Sequence, residues 1–432
     1  MTEAADVQNA AYLSDDGEEN GDDFEVISEG LASTVSKTLA SVDHSEPQFV
    51  VVKSSTTKKK WAKEPHDIIK ECRILQRLSH PNIILVFDSL LDRSESTMNI
   101  WMPFIPHSLD DLLNSPSFVP RPRSDPTTEM NPKIQLSKFL SLTRSIMTQI
   151  LHAVGYLHAQ SISHRDIKPA NVLLTLTGSV TLIDFGISWD GSEDDRNDDM
   201  WPETKDRMYF EVSTGPYRAP ELLFGIRSYD AYAIDLWSLG TVFAEFFTKL
   251  VPSSTDDDYP SYTSSPFTST SSNSDFDSNA RYTRESLFDG SRGELGLAWS
   301  IFKILGTPRE PKNEEEENQT WAWPGFNSLP DAHKVDFKQV DGVELDEGTL
   351  SNLPPKETRA PAIDLIRSFL RYPPERRITA KDALEHTFLS SEIPLMPEDL
   401  DLEGAGYFAK VTQIEFNGTS KTLGDLLLEA LN

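Results

Sequence analysis

Cysteine is almost missing from this chain of 432 residues: Cys72 stands alone, so no disulfide can form within it. That removes the usual staple of secreted domains and leads us to expect a reducing compartment, cytoplasm and/or nucleus. Positive charge is scarce too, since 40 Lys and Arg against 69 Asp and Glu give a formal net charge of −29. Nucleic acids and anionic membranes reward the opposite sign, which argues against a general binder of either. No run reaches the roughly 18 apolar residues of a membrane-spanning helix. The nearest, YAIDLWSLGTVFAEFF (232–247), carries Asp235 and Glu245 and reads as a buried helix. The first 22 residues are acidic and poor in large apolar side chains, so they read as disordered, and they lack the basic-then-apolar order of a secretory signal.

What is present divides the chain in two. From residue 23 to about 106 the pattern is mostly short β-type runs, with PQFVVVK (47–53) and MNIWMPFI (98–105) the clearest. One helix interrupts them, EPHDIIKECRILQRLSH (64–80), with an apolar face of Ile68, Ile69, Cys72, Ile74, Leu75 and Leu78. From 107 to 390 helices dominate, led by a long buried one over 136–160. A β-rich half followed by a helix-rich half predicts an α+β protein with two lobes. Polar insertions fall at 115–132 and at about 252–284, a Ser/Thr/Asp tract read as disordered. A further acidic run is NEEEEN at 313–318, and the tail 391–432 ends in a short amphipathic helix expected to dock on the main domain.

Three motifs carry the chemistry. HRDIKPANVLL (164–174) precedes LIDFGIS (182–188), which precedes GPYRAPELL (215–223). In this order, behind a long apolar helix, they resemble the catalytic loop, magnesium motif and activation-segment end of eukaryotic protein kinases. The resemblance implies a bilobal kinase fold using ATP and Mg²⁺. Phosphoryl transfer needs an aligned hydroxyl and neutralised phosphate charge rather than covalent help. By resemblance, Asp166 accepts the proton of the attacking hydroxyl, and Lys168 reaches the γ-phosphate, as in Ser/Thr-specific members. Asn171 and Asp184 offer hard oxygens suited to Mg²⁺. Lys53 ends a β-branched run and would hold the α- and β-phosphates, with Glu71, 18 residues on, holding Lys53. Solvated positions, beside Lys58–Lys60 and on a helix surface, are the alternatives for these two. Glu221 should pair with Arg377, and Asp235 should brace the catalytic loop.

The stretch ISEGLASTV (27–35) stands where such kinases keep three glycines over the nucleotide. Only Gly30 remains, with Ser28 and Ser33 in the other places and Val35 as the expected cap on the adenine ring. The implied adenine pocket also takes Val51, Leu173, Met102 as gatekeeper, and the backbone of Pro103 and Ile105. All the charged groups survive, so the expectation is an active enzyme with a less snug lid and weaker ATP binding. A non-catalytic scaffold is the opposing reading.

LFDGSRGELGLAWSIFKILGTP (287–308), followed by WPGFNSLPD (323–331), and Arg218 are similar to the cyclin-dependent-kinase-like group. The helix over 64–80 lacks that group's cyclin-docking sequence, and Tyr209 falls where its activating threonine would be. The segment DGSEDDRNDDMWPETKD (190–206) is acidic, and one of its carboxylates is expected to pair with Arg165 in place of a phosphate. A solvated charge run is the alternative. Gly215-Pro216 after Thr214 replaces the Leu-Trp of proline-directed relatives. These departures resemble the fungal single-subunit CDK-activating kinases. That resemblance implies a monomer without obligatory cyclin, acting on the activation-loop threonine of cyclin-dependent kinases. A cyclin-bound kinase with divergent docking is the alternative.

Overall fold

The computed structural model describes residues 7–9, 24–30, 33–42, 45–121, 131–192, 199–253, 281–398, 400, 411–416 and 418–432. The amino-terminal lobe is one antiparallel sheet. Its strands are β1 (Val7–Asn9), β2 (Glu25–Glu29), β3 (Thr34–Val42), β4 (Gln48–Thr56), β5 (Asp88–Asp92) and β6 (Thr97–Pro103). The order is β1-β3-β4-β6-β5, with β2 also on β3. Register places Val35 opposite Lys53, and Val51 opposite Met102, so alternation sends Val51 and Lys53 to the same face. Helix α1 (Ile68–Arg77) packs on this sheet. It starts four residues later than expected because Asp67 is its N-cap, accepting from the N–H groups of Ile69 and Lys70.

The second lobe is helical. After β7 (His107–Ser108) come α2 (Leu109–Asn114) and α3 (Pro132–Ala159), which carries proline in its first turn behind an Asn131 cap. Strands β8 (Ile162–Ser163), β9 (Val172–Leu174), β10 (Val180–Leu182) and β11 (Trp189–Asp190) lie between the lobes' main elements. They frame the catalytic loop. Helix α4 (Ala231–Glu245) is buried along nearly its whole length, as its uninterrupted apolar sequence requires. Around it lie α5 (Gly293–Leu305), α6 (Glu314–Glu317), α7 (Lys356–Phe369), α8 (Ala380–Leu384) and α9 (Thr387–Ser390).

Two expectations need correction. The acidic N-terminus contributes Val7–Asn9 as an edge strand on β3; most of 1–22 lies outside the described residues. The Ser/Thr/Asp insert ends earlier than 284, because β12 (Leu250–Pro252) pairs with β13 (Tyr282–Arg284). Arg284 is the reason: buried, it donates to the carbonyls of Leu113, Thr248 and Phe118 at 2.8, 3.0 and 2.9 Å. Residues 254–280 lie outside the description. The tail forms a hairpin, β14 (Gln413–Phe416) and β15 (Thr419–Thr422), then α10 (Leu423–Leu431) docked on α2 and α3. Among the described residues no helix is long and apolar enough to cross a membrane.

Candidate active site

Lys53 leaves β4 toward α1 and meets Glu71 at 2.7 and 2.8 Å and Asp184 Oδ1 at 2.8 Å. Burial works against the Lys53 charge, but Asp184 and Glu71 outweigh it and hold the ammonium protonated well above its usual range. Burial likewise opposes the Asp184 carboxylate, and Lys53 overrides it, leaving Asp184 well below the usual carboxylate range. The Phe185 N–H also donates to Glu71, fixing the Asp184-Phe185-Gly186 turn against α1.

The loop after β8 brings the remaining groups together. Thr214 donates to Asp166 Oδ1 at 2.7 Å, and Lys168 Nζ lies 2.9 Å from Asp166 Oδ2 and 3.0 Å from Thr214 Oγ1. Asn171 turns its amide nitrogen to Asp166, at 2.9 Å from the carbonyl and 3.1 Å from Oδ2. These bonds leave its side-chain oxygen unused, and Asn171 lines the same cleft as Asp184. Asp235 of α4 holds the loop from below. It accepts from the N–H groups of Arg165 at 2.7 Å and His164 at 2.8 Å, and from Ser163 Oγ at 2.9 Å, with His158 Nε2 at 3.0 Å. Glu221 and Arg377 form the expected buried pair, at 2.6 and 2.7 Å.

Between the lobes lies a cleft of about 280 Å³. Ser28, Gly30, Val35, Val51, Lys53, Met102, Pro103, Asn171, Leu173 and Asp184 all line it. Ile105 does not; its side chain is buried in the core. His66, Ile84 and Ile183 line the cleft without having been foreseen. Over it, Ser28 pairs with Val35 and Glu29 with Thr34, and the Gly30 N–H donates to the Ser33 carbonyl at 2.9 Å.

A family profile described as "Protein kinase domain" matches residues 23–389. The chain is a protein kinase. Cyclin-dependent kinase 20 of Homo sapiens is 31% identical over 60% of this kinase and 57% of the relative. Cyclin-dependent kinase 2 of Caenorhabditis elegans is 28% identical over 75% and 66% respectively. Cell division control protein 2 homolog 3 of Trypanosoma brucei brucei is 28% identical over 85% and 91%. The kinase thus spans less than two thirds of the length of several curated relatives, and nearly all of another. These relatives are all cyclin-dependent-kinase-type proteins, to which the chain is similar. Its fold is that of a CAK complex chain from Chaetomium thermophilum bound to ATP-gamma-S, with a TM-score of 0.59, 24% identity, and coverage of 87% of this chain and 93% of that one. The yeast RNA Pol II CTD kinase CTDK-1 complex gives 0.55, 22%, 88% and 96%.

The kinase's activation segment resolves which carboxylate meets Arg165. It is Glu203, bidentate at 2.7 and 2.5 Å, with both side chains buried. Lys70 of α1 approaches the same carboxylate at 3.5 Å. Burial opposes the Glu203 charge, but the Arg165 guanidinium keeps its carboxyl below the usual range. Tyr209, where a phosphorylated threonine was sought, donates its N–H to Glu203 at 2.8 Å and its hydroxyl to Glu64. The partner Lys70 was not foreseen; the signal available was a basic residue just before Glu71 on a helix next to the loop.

Proposed function

We propose that this kinase phosphorylates serine or threonine in proteins without prior phosphorylation of its own activation segment, and that its substrate is the activation-loop threonine of cyclin-dependent kinases. The observation that carries this is the Arg165–Glu203 pair: a carboxylate built into the chain occupies the guanidinium that a phosphate would otherwise engage. Gly215-Pro216 after Thr214 supports a target threonine not followed by proline.

When bound, ATP supplies the phosphoryl group, and Mg²⁺ neutralises its charge. Asn171 and Asp184 would hold the metal. Lys53, kept in place by Glu71, would hold the nucleotide's phosphates. Ser28, Gly30, Val35, Val51, Met102, Pro103 and Leu173, which line the cleft, would hold the nucleotide, together with the Ile105 backbone. Asp166 would orient the substrate hydroxyl and take its proton as that oxygen bonds to the γ-phosphorus, while the bond from the γ-phosphorus to the bridging oxygen breaks and ADP leaves with that electron pair. Lys168 stabilises the charge on the transferring group. Asp166 and Lys168 both meet Thr214 Oγ1, so Thr214 helps to hold the two groups side by side.

The test is transfer by the purified chain alone, with Mg-ATP, to an unphosphorylated cyclin-dependent kinase. We expect labelling that disappears with Asp184→Asn and with a substrate whose loop threonine is alanine. Labelling of a basic protein but not of the cyclin-dependent kinase would remove the substrate assignment. Labelling of neither would overturn the activity.

A further inference from the structure

Helix α1 matters because it carries Glu71, and its opposite face is where the structure departs from a bare scaffold. At about 100° per residue, Lys70, Arg73 and Arg77 fall within roughly 60° of one another, on the side away from Ile68, Cys72 and Leu75. Each of the three meets an acid of the activation segment. Arg73 Nη1 lies 2.6 Å from Asp199 Oδ1, Lys70 reaches Glu203 at 3.5 Å, and Arg77 pairs with Asp190. The acidic partners are largely shut from solvent, with side-chain exposures of 12%, 4% and 4% for Asp199, Glu203 and Asp190. These are not the screened surface pairs that contribute little.

The same segment grips the start of the helix. The Met200 N–H donates to Asp67 Oδ2 at 2.6 Å, so the N-cap carboxylate is shared between α1 and the segment. Trp201 Nε1 donates to the His66 carbonyl at 2.9 Å, and Tyr209 bonds Glu64. The Asp67 N–H donates to the Gly186 carbonyl at 2.9 Å. Contacts thus run from residue 64 to residue 77, from one segment onto one helix.

We infer that Asp199 and Arg73 are positioning residues: with the flanking pairs they clamp α1 from within the chain, so that Glu71 stays on Lys53 with no second protein pressing on the helix. The inference rests on the proposed activity only for its kinetic readout. Lys70 and Arg165 share Glu203, and Arg77 has contacts besides Asp190. Arg73–Asp199 is therefore the pair to exchange: it lies outside the ATP cleft and touches none of the groups assigned to phosphoryl transfer.

The experiment uses the full chain with Arg73→Glu, Asp199→Arg, both together, and Arg73→Gln as a milder variant. Two readouts are taken: kcat and KM for a basic protein substrate, and amide hydrogen exchange over residues 68–77. We expect each single reversal to lower kcat at least about tenfold with KM for the protein nearly unchanged, an effect on the assembled state rather than on binding. Exchange in α1 should rise in the same variants while exchange in α4 does not. The double exchange should recover at least about a third of wild-type kcat and restore protection of α1. Wild-type behaviour of the singles, or a double variant no better than either, would overturn the clamp. If the wild-type chain transfers no phosphate at all, the proposed function falls, and the exchange measurement still decides the clamp. If Arg73→Glu does not fold, Arg73→Gln must show the same ordering of α1 protection, or the inference fails.

Discussion

Arg165 and Asp184 sit on backbone that side-chain-bearing residues seldom adopt, at φ 63° and 67°. Each such residue costs about 1–3 kcal/mol and persists only where its surroundings over-determine it. For Arg165 the surroundings are Asp235 on its N–H, the Ile187 carbonyl on Nε, and Glu203 on the fork. Removing Glu203 would leave Arg165 and Lys70 as neighbouring buried cations. Glu203→Ala should therefore destabilise the fold by about 3–5 kcal/mol, read as a shifted urea midpoint, and lower kcat as well. A variant with wild-type stability would show that the pair is dispensable. Glu245 gives a second prediction. Burial pushes its carboxyl up to about 8, against hydrogen bonds from Ser286 and Tyr217. A raised folded value means stability that is full below its ordinary 4.5 and lost as pH rises through 8. Glu245→Gln should flatten the pH dependence of the melting temperature across that window, and an unaltered slope would refute it. At this scale the sequence was informative where spacing constrains a residue. Lys53 and Glu71 were legible because a β-branched run ending in lysine, followed 18 positions later by a glutamate on a helix, resembles the layout of protein kinases. Glu203 was not singled out, because eight acids lie between 190 and 206 and position alone does not say which one reaches Arg165.

Strands and helices were legible where their periodicity was strong, and their ends less so. The β4 run and α4 lie close to where the sequence predicts them, while α1 begins at 68 because Asp67 caps it. The nucleotide loop carries a lesson about glycine. Gly30 does not take a positive φ, and among the described residues a Cβ added to it would meet nothing nearer than the Ser33 carbonyl oxygen at 3.5 Å. Ser28 still pairs with Val35 and Glu29 with Thr34, past a register shift between Val26 and Ser28, so strand pairing persists without the other two glycines. Gly30→Ala should then change kcat by less than about threefold, the effect falling on the KM for ATP. A loss beyond about a hundredfold would mean that backbone freedom at 30 is required. The tail is the element whose docking place no sequence pattern disclosed. Leu423 packs where a side chain at Gly178, φ 89°, would stand, and Ser115 Oγ bonds the Ala430 carbonyl. Leu423, Leu426 and Leu427 are each 1% exposed, and burying one such side chain is worth roughly 1.5–3 kcal/mol. A chain ending at residue 410 should melt at least about 5 °C lower than the full chain by calorimetry.

Across the whole molecule the charge is divided by location. The formal −29 is carried largely by exposed and inserted acids, while the cations that matter are interior: Lys53, Lys70, Arg165 and Arg377. The two-lobed architecture was readable from the change in pattern near residue 106, since strands and helices bury different periodicities. What binds the lobes together was not, because it runs through ion pairs between segments about 130 residues apart. Treatment with a phosphatase should leave at least about half of the kinase activity of the full chain. A greater loss would reveal an activating phosphate elsewhere. If activity survives, the Arg165–Glu203 pair has a consequence for time. A carboxylate supplied by the ribosome cannot be hydrolysed away, so such an enzyme has no dormant form to return to, and its signal lasts as long as the polypeptide does. Synthesis and proteolysis, rather than modification, then set its duration.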